Sequence, residues 1–162
     1  MNPSTLNQAR RRRRRAQGFT LVEIMVVVMI IALLASLAIP AFQKVRRNTM
    51  NNMFANDLRQ MRAAAEMCLT EQGSLPPDGF PGSFPQALEP YLPLGIADRP
   101  TPIGGMWDWD YEQFGFKAGI SVYSPKVDAG QMKEIDRIVD DGDLGTGNFR
   151  ARSQGYIYVI VF

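Results

Sequence analysis

Apolar and polar residues are unevenly spread along the chain, and the first informative stretch is almost purely apolar. From Phe19 to Phe42 the sequence carries one charged residue, Glu23, in 24 positions. An apolar helix of that length is sufficient to cross the roughly 30 Å of a bilayer's hydrocarbon core. We therefore predict that residues 19–42 form a transmembrane helix.

The next stretch, residues 43–72, is amphipathic and contains no glycine or proline. Its apolar residues recur at spacings of three to five, which is typical of a helix with one apolar face. They are Val45, Met50, Met53, Phe54, Leu58, Met61, Ala65, Cys68 and Leu69. We predict that the membrane helix continues to Gln72 and stops at Gly73, with a kink at Pro40, which lacks a backbone N–H.

The remainder, residues 73–162, predicts a small globular domain that covers the apolar face of this helix. Eight of the chain's eleven prolines lie in residues 73–105, which indicates a connecting segment with one short helical turn at residues 85–92. A later helix is predicted around Met132 to Val139, with Asp128 as its N-cap.

Strict alternation of aromatic and acidic residues predicts a strand beginning at Trp107. Trp107, Trp109 and Tyr111 share one face, and Asp108, Asp110 and Glu112 share the other. Residues 120–123 and 156–162 are further strand candidates. We therefore predict an α+β fold, in which an antiparallel sheet of three or more strands packs on the second half of the long helix.

The aromatic face of this strand has two interpretations. Opposite an apolar helix face, Trp107, Trp109 and Tyr111 are expected to form the core. Alternatively they form a stacking platform for a sugar or nucleobase, and the chain is then a membrane-anchored extracellular binding module.

Charge is concentrated before the apolar stretch. The formal net charge is +2, but six of the eighteen basic residues are Arg10 to Arg15, so the rest carries twelve basic against sixteen acidic residues. This imbalance argues against nucleic-acid binding. The arginines before the apolar stretch favour a cytoplasmic N-terminus and export of the C-terminal part, as in a signal anchor or a cleaved precursor.

The residue inventory argues against an enzyme. The sequence contains no histidine and a single cysteine, Cys68, so histidine-assisted nucleophiles and an intrachain disulfide are excluded. Glu23 is the unusual residue, since a carboxylate inside a membrane helix is unfavourable and usually has a partner. Cleavage between Gly18 and Phe19 would create an α-amino group four residues from Glu23.

The block Gly18-Phe19-Thr20-Leu21-Val22-Glu23, with the basic stretch before it and the apolar helix after it, resembles type IV prepilins and type II secretion pseudopilins. The resemblance implies a leader of residues 1–18 that a prepilin peptidase removes, N-methylation of Phe19, and filament assembly through Glu23. Pro40 falls where many members of the family carry a helix proline.

The resemblance also implies partners and a location. The expected partners are the peptidase and methyltransferase, copies of the chain or other pilins and pseudopilins, and an inner-membrane assembly platform. The expected location is the bacterial inner membrane as a single-pass protein with the globular domain outside the cytoplasm, and then a pilus or pseudopilus.

A cluster of acids near the C-terminus has two further interpretations. Asp140, Asp141 and Asp143 alternate with glycines, and such a loop wraps Ca²⁺ in some proteins. Major pseudopilins of type II secretion bind calcium in a late loop. The same residues are also typical of a solvated turn that ends a helix, with the Asp side chains bonded to their own backbone.

Overall fold

The computed structural model describes residues 18–162, which fall into two compact units separated after Phe42. Helix α1, Leu21–Gln72, begins in the first unit and ends in the second. The predicted leader, residues 1–18, lies outside the described residues except for Gly18.

The first unit consists of the apolar part of α1. The large apolar side chains between Leu21 and Phe42 are at least half exposed, and the most apolar stretch of the helix has no buried residue. The helix is long and apolar enough to cross a membrane. A surface that is apolar on all sides needs lipid or other apolar helices around it.

Pro40 lies inside α1, which continues through it. Its ring nitrogen has no hydrogen to donate to the carbonyl of Ser36, one turn earlier. The kink predicted at Pro40 remains a prediction.

In the second unit, α1 buries one face, as the sequence predicts. Of the predicted stripe, five members are buried: Phe54, Leu58, Met61, Ala65 and Cys68. Three others, Val45, Met53 and Leu69, are exposed, so the buried face is narrower than the prediction. The helix ends at Gln72, and Gly73 follows with a φ of +70°, a conformation that favours glycine at a helix end.

Four antiparallel strands form the sheet: β1 (Met106–Tyr111), β2 (Ala118–Tyr123), β3 (Phe149–Arg152) and β4 (Gly155–Val161). Their order is β1-β2-β4-β3. The long helix and this sheet confirm the predicted α+β fold. The short strand β3 is absent from the prediction.

Helix α2, Ala129–Val139, lies between β2 and β3 in the chain. The carboxylate of Asp128 accepts a hydrogen bond from the Gln131 backbone N–H at 2.7 Å, which confirms the predicted N-cap. The predicted turn at residues 85–92 is a 3-10 helix, Gln86–Tyr91.

The core lies between α1 and the aromatic face of β1. Trp107 stacks on Phe54 with their ring centroids 4.9 Å apart, and Phe149 meets Phe54 edge-on at 6.3 Å. Trp109 is also buried, and its indole N–H donates to the Pro76 carbonyl at 3.0 Å. The core interpretation is confirmed, and the two tryptophans have no exposed face on which a ligand could stack.

Candidate functional site

The N-terminus of α1 holds the residues that the sequence assigns to processing and assembly. Glu23 accepts two hydrogen bonds from Thr20 through one carboxylate oxygen, at 2.8 Å from the backbone N–H and 2.8 Å from the hydroxyl. In return, the Thr20 hydroxyl accepts a bond from the Glu23 N–H at 3.2 Å. This reciprocal arrangement is a capping box, which satisfies donors left free at a helix start.

The sequence analysis missed this role of Glu23. The available signal was Thr20 followed three residues later by Glu23, directly before an apolar run. Before any cleavage, the Glu23 carboxylate therefore already accepts hydrogen bonds from Thr20. Gly18 and Phe19 precede α1 and are exposed, Phe19 by 82% of its surface, so the predicted cleavage bond lies in an accessible segment.

The acids of β1 lie on a buried face of the sheet. Asp108 and Asp110 are only 4% and 6% exposed. Arg152 of β3 reaches across the sheet to both, with nitrogen–oxygen distances of 2.5 Å to Asp108 and 3.3 Å to Asp110. The Gly82 N–H donates to Asp108 at 3.0 Å, so the proline-rich segment covers this face. The second face of the sheet is thus a buried polar network.

Two carboxylates share one guanidinium in this network. Burial raises the pKa of Asp108, and the neighbouring Asp110 raises it further. Burial also raises the pKa of Asp110, which the hydrogen bond from Ser121 and the charge of Arg152 partly offset. A cavity of about 280 Å³ opens beside these groups. All three charged groups are paired, so the arrangement is structural.

The acidic loop after α2 contains the turns that the sequence predicts. Asp141 accepts a bond from the Asp143 N–H at 2.8 Å, and Asp143 accepts one from the Gly145 N–H at 3.0 Å. Asp140 accepts bonds from the backbone N–H groups of Asn148 and Phe149. The solvated-turn interpretation therefore describes Asp141 and Asp143 well.

A fourth acid that the sequence analysis missed lies beside this loop. Asp136, in the last turns of α2, is fully buried, and neither of its carboxylate oxygens has a hydrogen-bond partner among residues 18–162. Burial, followed by the charges of Asp141 and Asp140, raises its pKa to about 6. The signal in the sequence was that Asp136 shares the apolar helix face of Met132 and Val139.

Oxygen atoms of Asp136, Asp140 and Asp141 lie within 4.8 Å of one another. Asp143, the third acid of the calcium hypothesis, is not in this group. An all-oxygen set with one unsatisfied carboxylate fits a hard cation such as Ca²⁺. The residues are thus compatible with the predicted Ca²⁺ ion. The clustered acids are Asp136, Asp140 and Asp141, whereas the sequence analysis proposed Asp143 as the third.

Comparison with known proteins identifies the N-terminal segment. Residues 13–39 match the family model described as the prokaryotic N-terminal methylation motif. The match includes Gly18, Phe19, Thr20 and Glu23, the residues on which the resemblance to prepilins rests.

Similar curated proteins include a type IV major fimbrial protein FimA of Dichelobacter nodosus, 42% identical over 55 residues, or 34% of this chain and 35% of the relative. Prepilin peptidase-dependent protein D of Escherichia coli (strain K12) is 41% identical over 59 residues, or 36% of this chain and 40% of the relative. A fimbrial protein of Pseudomonas aeruginosa is 38% identical over 55 residues, covering 34% and 36% of the two chains.

The chain thus aligns with little more than a third of the length of these relatives. No solved structure matches it significantly. The matches confirm the resemblance to type IV prepilins and pseudopilins predicted from residues 18–23. The prediction that the chain is not an enzyme agrees with these relatives, two of which are named fimbrial proteins.

Proposed function

We propose that this chain, which belongs by its N-terminal segment to the type IV pilin and pseudopilin family, is a structural subunit of a membrane-derived filament. The observation that carries the proposal is the methylation motif at residues 13–39, in register with Glu23 at the start of an exposed apolar helix. The filament serves as a type IV pilus or as the pseudopilus of type II secretion.

Maturation begins with removal of residues 1–18. A prepilin peptidase cuts after Gly18 and the new N-terminus, Phe19, is methylated. The leader takes six arginines with it, and twelve basic against sixteen acidic side chains remain. The mature chain then consists of the membrane and filament-core helix 19–42, the amphipathic helix 43–72 and the globular domain 73–162.

Before assembly the mature chain is a single-pass protein of the bacterial inner membrane. Its N-terminus faces the cytoplasm, because the precursor inserts with its arginines before the apolar helix. Its partners are copies of itself or related pilins, together with an inner-membrane assembly platform. The exposed apolar half of α1 exchanges lipid for neighbouring helices in the filament.

Glu23 supplies the selectivity of assembly. Thr20 binds one of its carboxylate oxygens, and the other accepts no hydrogen bond among the described residues. Cleavage adds a positive amine at Phe19, on the same chain or on an adjacent subunit. A subunit therefore adds where its amine meets the carboxylate of a neighbour, because an unpaired charge is costly in an apolar filament core.

The test separates the charge of Glu23 from its capping role. Glu23→Gln keeps a side chain that can complete the capping box but removes the charge, whereas Thr20→Val weakens the cap and keeps the charge. In a host with the cognate assembly system, we expect filament yield to collapse for Glu23→Gln and to fall much less for Thr20→Val.

Processing is measured in the same strains by mass spectrometry of the N-terminus. Both variants should still be cut after Gly18 and methylated at Phe19, while Gly18→Val should accumulate uncut precursor. Normal filament yield from Glu23→Gln would refute charge pairing. Normal export of uncut Gly18→Val filaments would refute the proposed maturation.

A further inference from the structure

A cavity of about 280 Å³ lies at the polar face of the sheet, and the filament function proposed above gives it no role. Its wall combines acidic, aromatic and amide side chains from the proline-rich segment, from three of the strands and from the turns that follow β1 and β3. A concave surface with a few converging polar groups is where small ligands bind. The groups in this wall define which ligand it fits.

The ion pairs beside the cavity are structural, but they leave one carboxylate oxygen over. Asp110 uses its Oδ2 for the Ser121 hydroxyl and for Arg152. Its Oδ1 accepts no hydrogen bond from residues 18–162, although the side chain is only 8% exposed and lines the cavity. A carboxylate oxygen that is withdrawn from bulk water without a donor is unfavourable. Asp110 therefore lacks a donor on the side of the cavity.

Arg152 has no capacity left to supply this donor or to attract an anion, because all three of its side-chain nitrogens are engaged. Nε donates to the Ser121 hydroxyl at 3.0 Å, one terminal nitrogen donates to the Ser153 carbonyl at 2.9 Å, and the other pairs with Asp108. The guanidinium carbon also lies 4.9 Å from the centroid of the Phe114 ring. The charged groups of the wall that can still bind a ligand are therefore carboxylates.

A further acid, Asp78 of the proline-rich segment, makes the cavity negative. Asp78 lines the cavity and forms no ion pair in the described part of the chain. One of its oxygens accepts a bond from the Tyr111 N–H at 3.2 Å, and the other accepts none among the described residues. Burial raises the pKa of Asp110 and the charge of Asp78 raises it further, so the two carboxylates repel each other. The wall thus holds three acids against one arginine.

Two residues of the wall have an unfavourable backbone conformation. Phe114 has a φ of +53° and Gln154 a φ of +62°, values that side chains other than glycine rarely adopt. Such conformations persist only where the surrounding structure maintains them, and they are frequent at ligand sites. Here they belong to the two turns that contribute an aromatic ring and an amide to the cavity wall.

We propose that this cavity binds an organic cation whose head group is a primary ammonium or a guanidinium. Both head groups carry several N–H donors and no acceptor, so they satisfy Asp110 Oδ1 and the free oxygen of Asp78 together. The rings of Phe114 and Tyr123 form the aromatic part of the wall, and cations bind favourably to the faces of such rings.

The spacing of the acids and the size of the cavity define the class of cation further. In the described part of the chain, no set of three acids that includes Asp78, Asp108 or Asp110 brings its oxygens within 4.8 Å of one another. Ca²⁺ and Mg²⁺ need several oxygens at about 2.0–2.6 Å, so this wall suits a larger cation better than a bare metal ion. The volume suits a small molecule or one basic side chain of another protein.

The test uses the full chain in micelles of a neutral detergent, at pH 7 and constant ionic strength. Titration calorimetry measures the binding of agmatine, a free amine with a guanidinium group, and of N-acetyl-arginine methylamide, which represents an arginine side chain in a polypeptide. We expect saturable binding and a ligand-dependent rise in the melting temperature. Binding of the arginine derivative assigns the site to a basic side chain of another protein, and binding of agmatine alone assigns it to a free small molecule.

Asp110→Asn is the decisive variant. Its amide oxygen keeps the contacts with Ser121 and Arg152, so its NH₂ group replaces Oδ1 on the cavity side, and we expect the dissociation constant to rise about tenfold or more. Asp78→Asn changes an exposed residue, so the fold is retained, and binding should weaken several-fold. Asp98→Asn is the matched control, because Asp98 is an exposed acid of the same proline-rich segment outside the cavity wall. It should bind like the wild type.

Three outcomes would overturn the proposal. They are the absence of binding of both probes, binding that is unchanged in Asp110→Asn and Asp78→Asn, and a Ca²⁺ affinity above that of both probes that Asp110→Asn abolishes. The last result would make the cavity a metal site. None of these measurements involves filaments, so the cation site can fail while the proposed assembly function stands, and the reverse.

Discussion

At the scale of single residues, the second unit is notable for charges buried inside a small domain. Asp108, Asp110 and Arg152 are each less than a tenth exposed and form one network. A buried pair of opposite charges gains little net stability, but loss of one partner leaves an uncompensated charge. Here the loss of Arg152 would leave two uncompensated negative charges, on Asp108 and Asp110.

We therefore predict that Arg152→Met lowers the free energy of unfolding of the second unit by about 3–5 kcal/mol. Methionine retains the apolar length of the side chain, so most of the loss reflects the two stranded carboxylates. Urea denaturation of the full chain in micelles, followed by tryptophan fluorescence, measures it. Lys133→Met removes an exposed charge from α2 and should change stability little.

The same network predicts a pH dependence. Because burial raises the pKa of Asp110 above 3.8, the folded state holds this proton when the unfolded state has released it. Its contribution to stability is complete below pH 3.8 and is lost as pH rises through the folded-state pKa.

Asp110→Asn should therefore make the free energy of unfolding fall less steeply with rising pH than in the wild type. The amide oxygen can still accept the bonds from Ser121 and Arg152, so the fold should be retained. Urea denaturation at a series of pH values from about 4 to 6 measures both slopes. Identical slopes would show that Asp110 does not titrate in this window.

At the scale of elements, helix ends follow local chemistry. Thr20 and Glu23 cap the start of α1, and Gly73 follows its end in a left-handed conformation. Asp128 caps α2 through the Gln131 N–H. These signals act within a few residues, which is why the stop of α1 at Gly73 and the N-cap of α2 were predictable from sequence.

The cap of α2 is directly testable. Asp128→Ala should lower the free energy of unfolding by about 0.5–2 kcal/mol, because the Gln131 N–H loses its acceptor. Asp128→Asn retains an acceptor oxygen and should lower the free energy of unfolding much less. Asp128 also lies 3.6 Å from Arg47, but it is 70% exposed, so this pair should contribute little. If the two variants lose the same free energy of unfolding, the effect comes from the charge of Asp128 and not from its hydrogen bond.

At the scale of the whole molecule, the two units require different surroundings. The first is an apolar helix without buried residues in its most apolar stretch, and the second has its own aromatic core. This division agrees with a subunit that is anchored through its first unit and exposes its second unit to solvent.

Strand β3 shows where sequence patterns are insufficient. Its four residues, Phe149 to Arg152, include two arginines and are too few for a reliable alternation. The strand exists because it pairs with β4, and its Phe149 side chain reaches Phe54 of α1. Such pairing depends on residues far away in the chain, which no local window contains.

The sequence by itself determined the long helix, its stop at Gly73, the aromatic inner face of β1 and the methylation motif that includes Gly18. Each is encoded in neighbouring residues through periodicity, capping or a fixed motif. Tertiary structure alone decided that Asp108 and Asp110 are buried, since their partner Arg152 lies more than forty positions away. It also decided that Asp136 faces Asp140 and Asp141, because only the folded α2 and its loop bring the three carboxylates together.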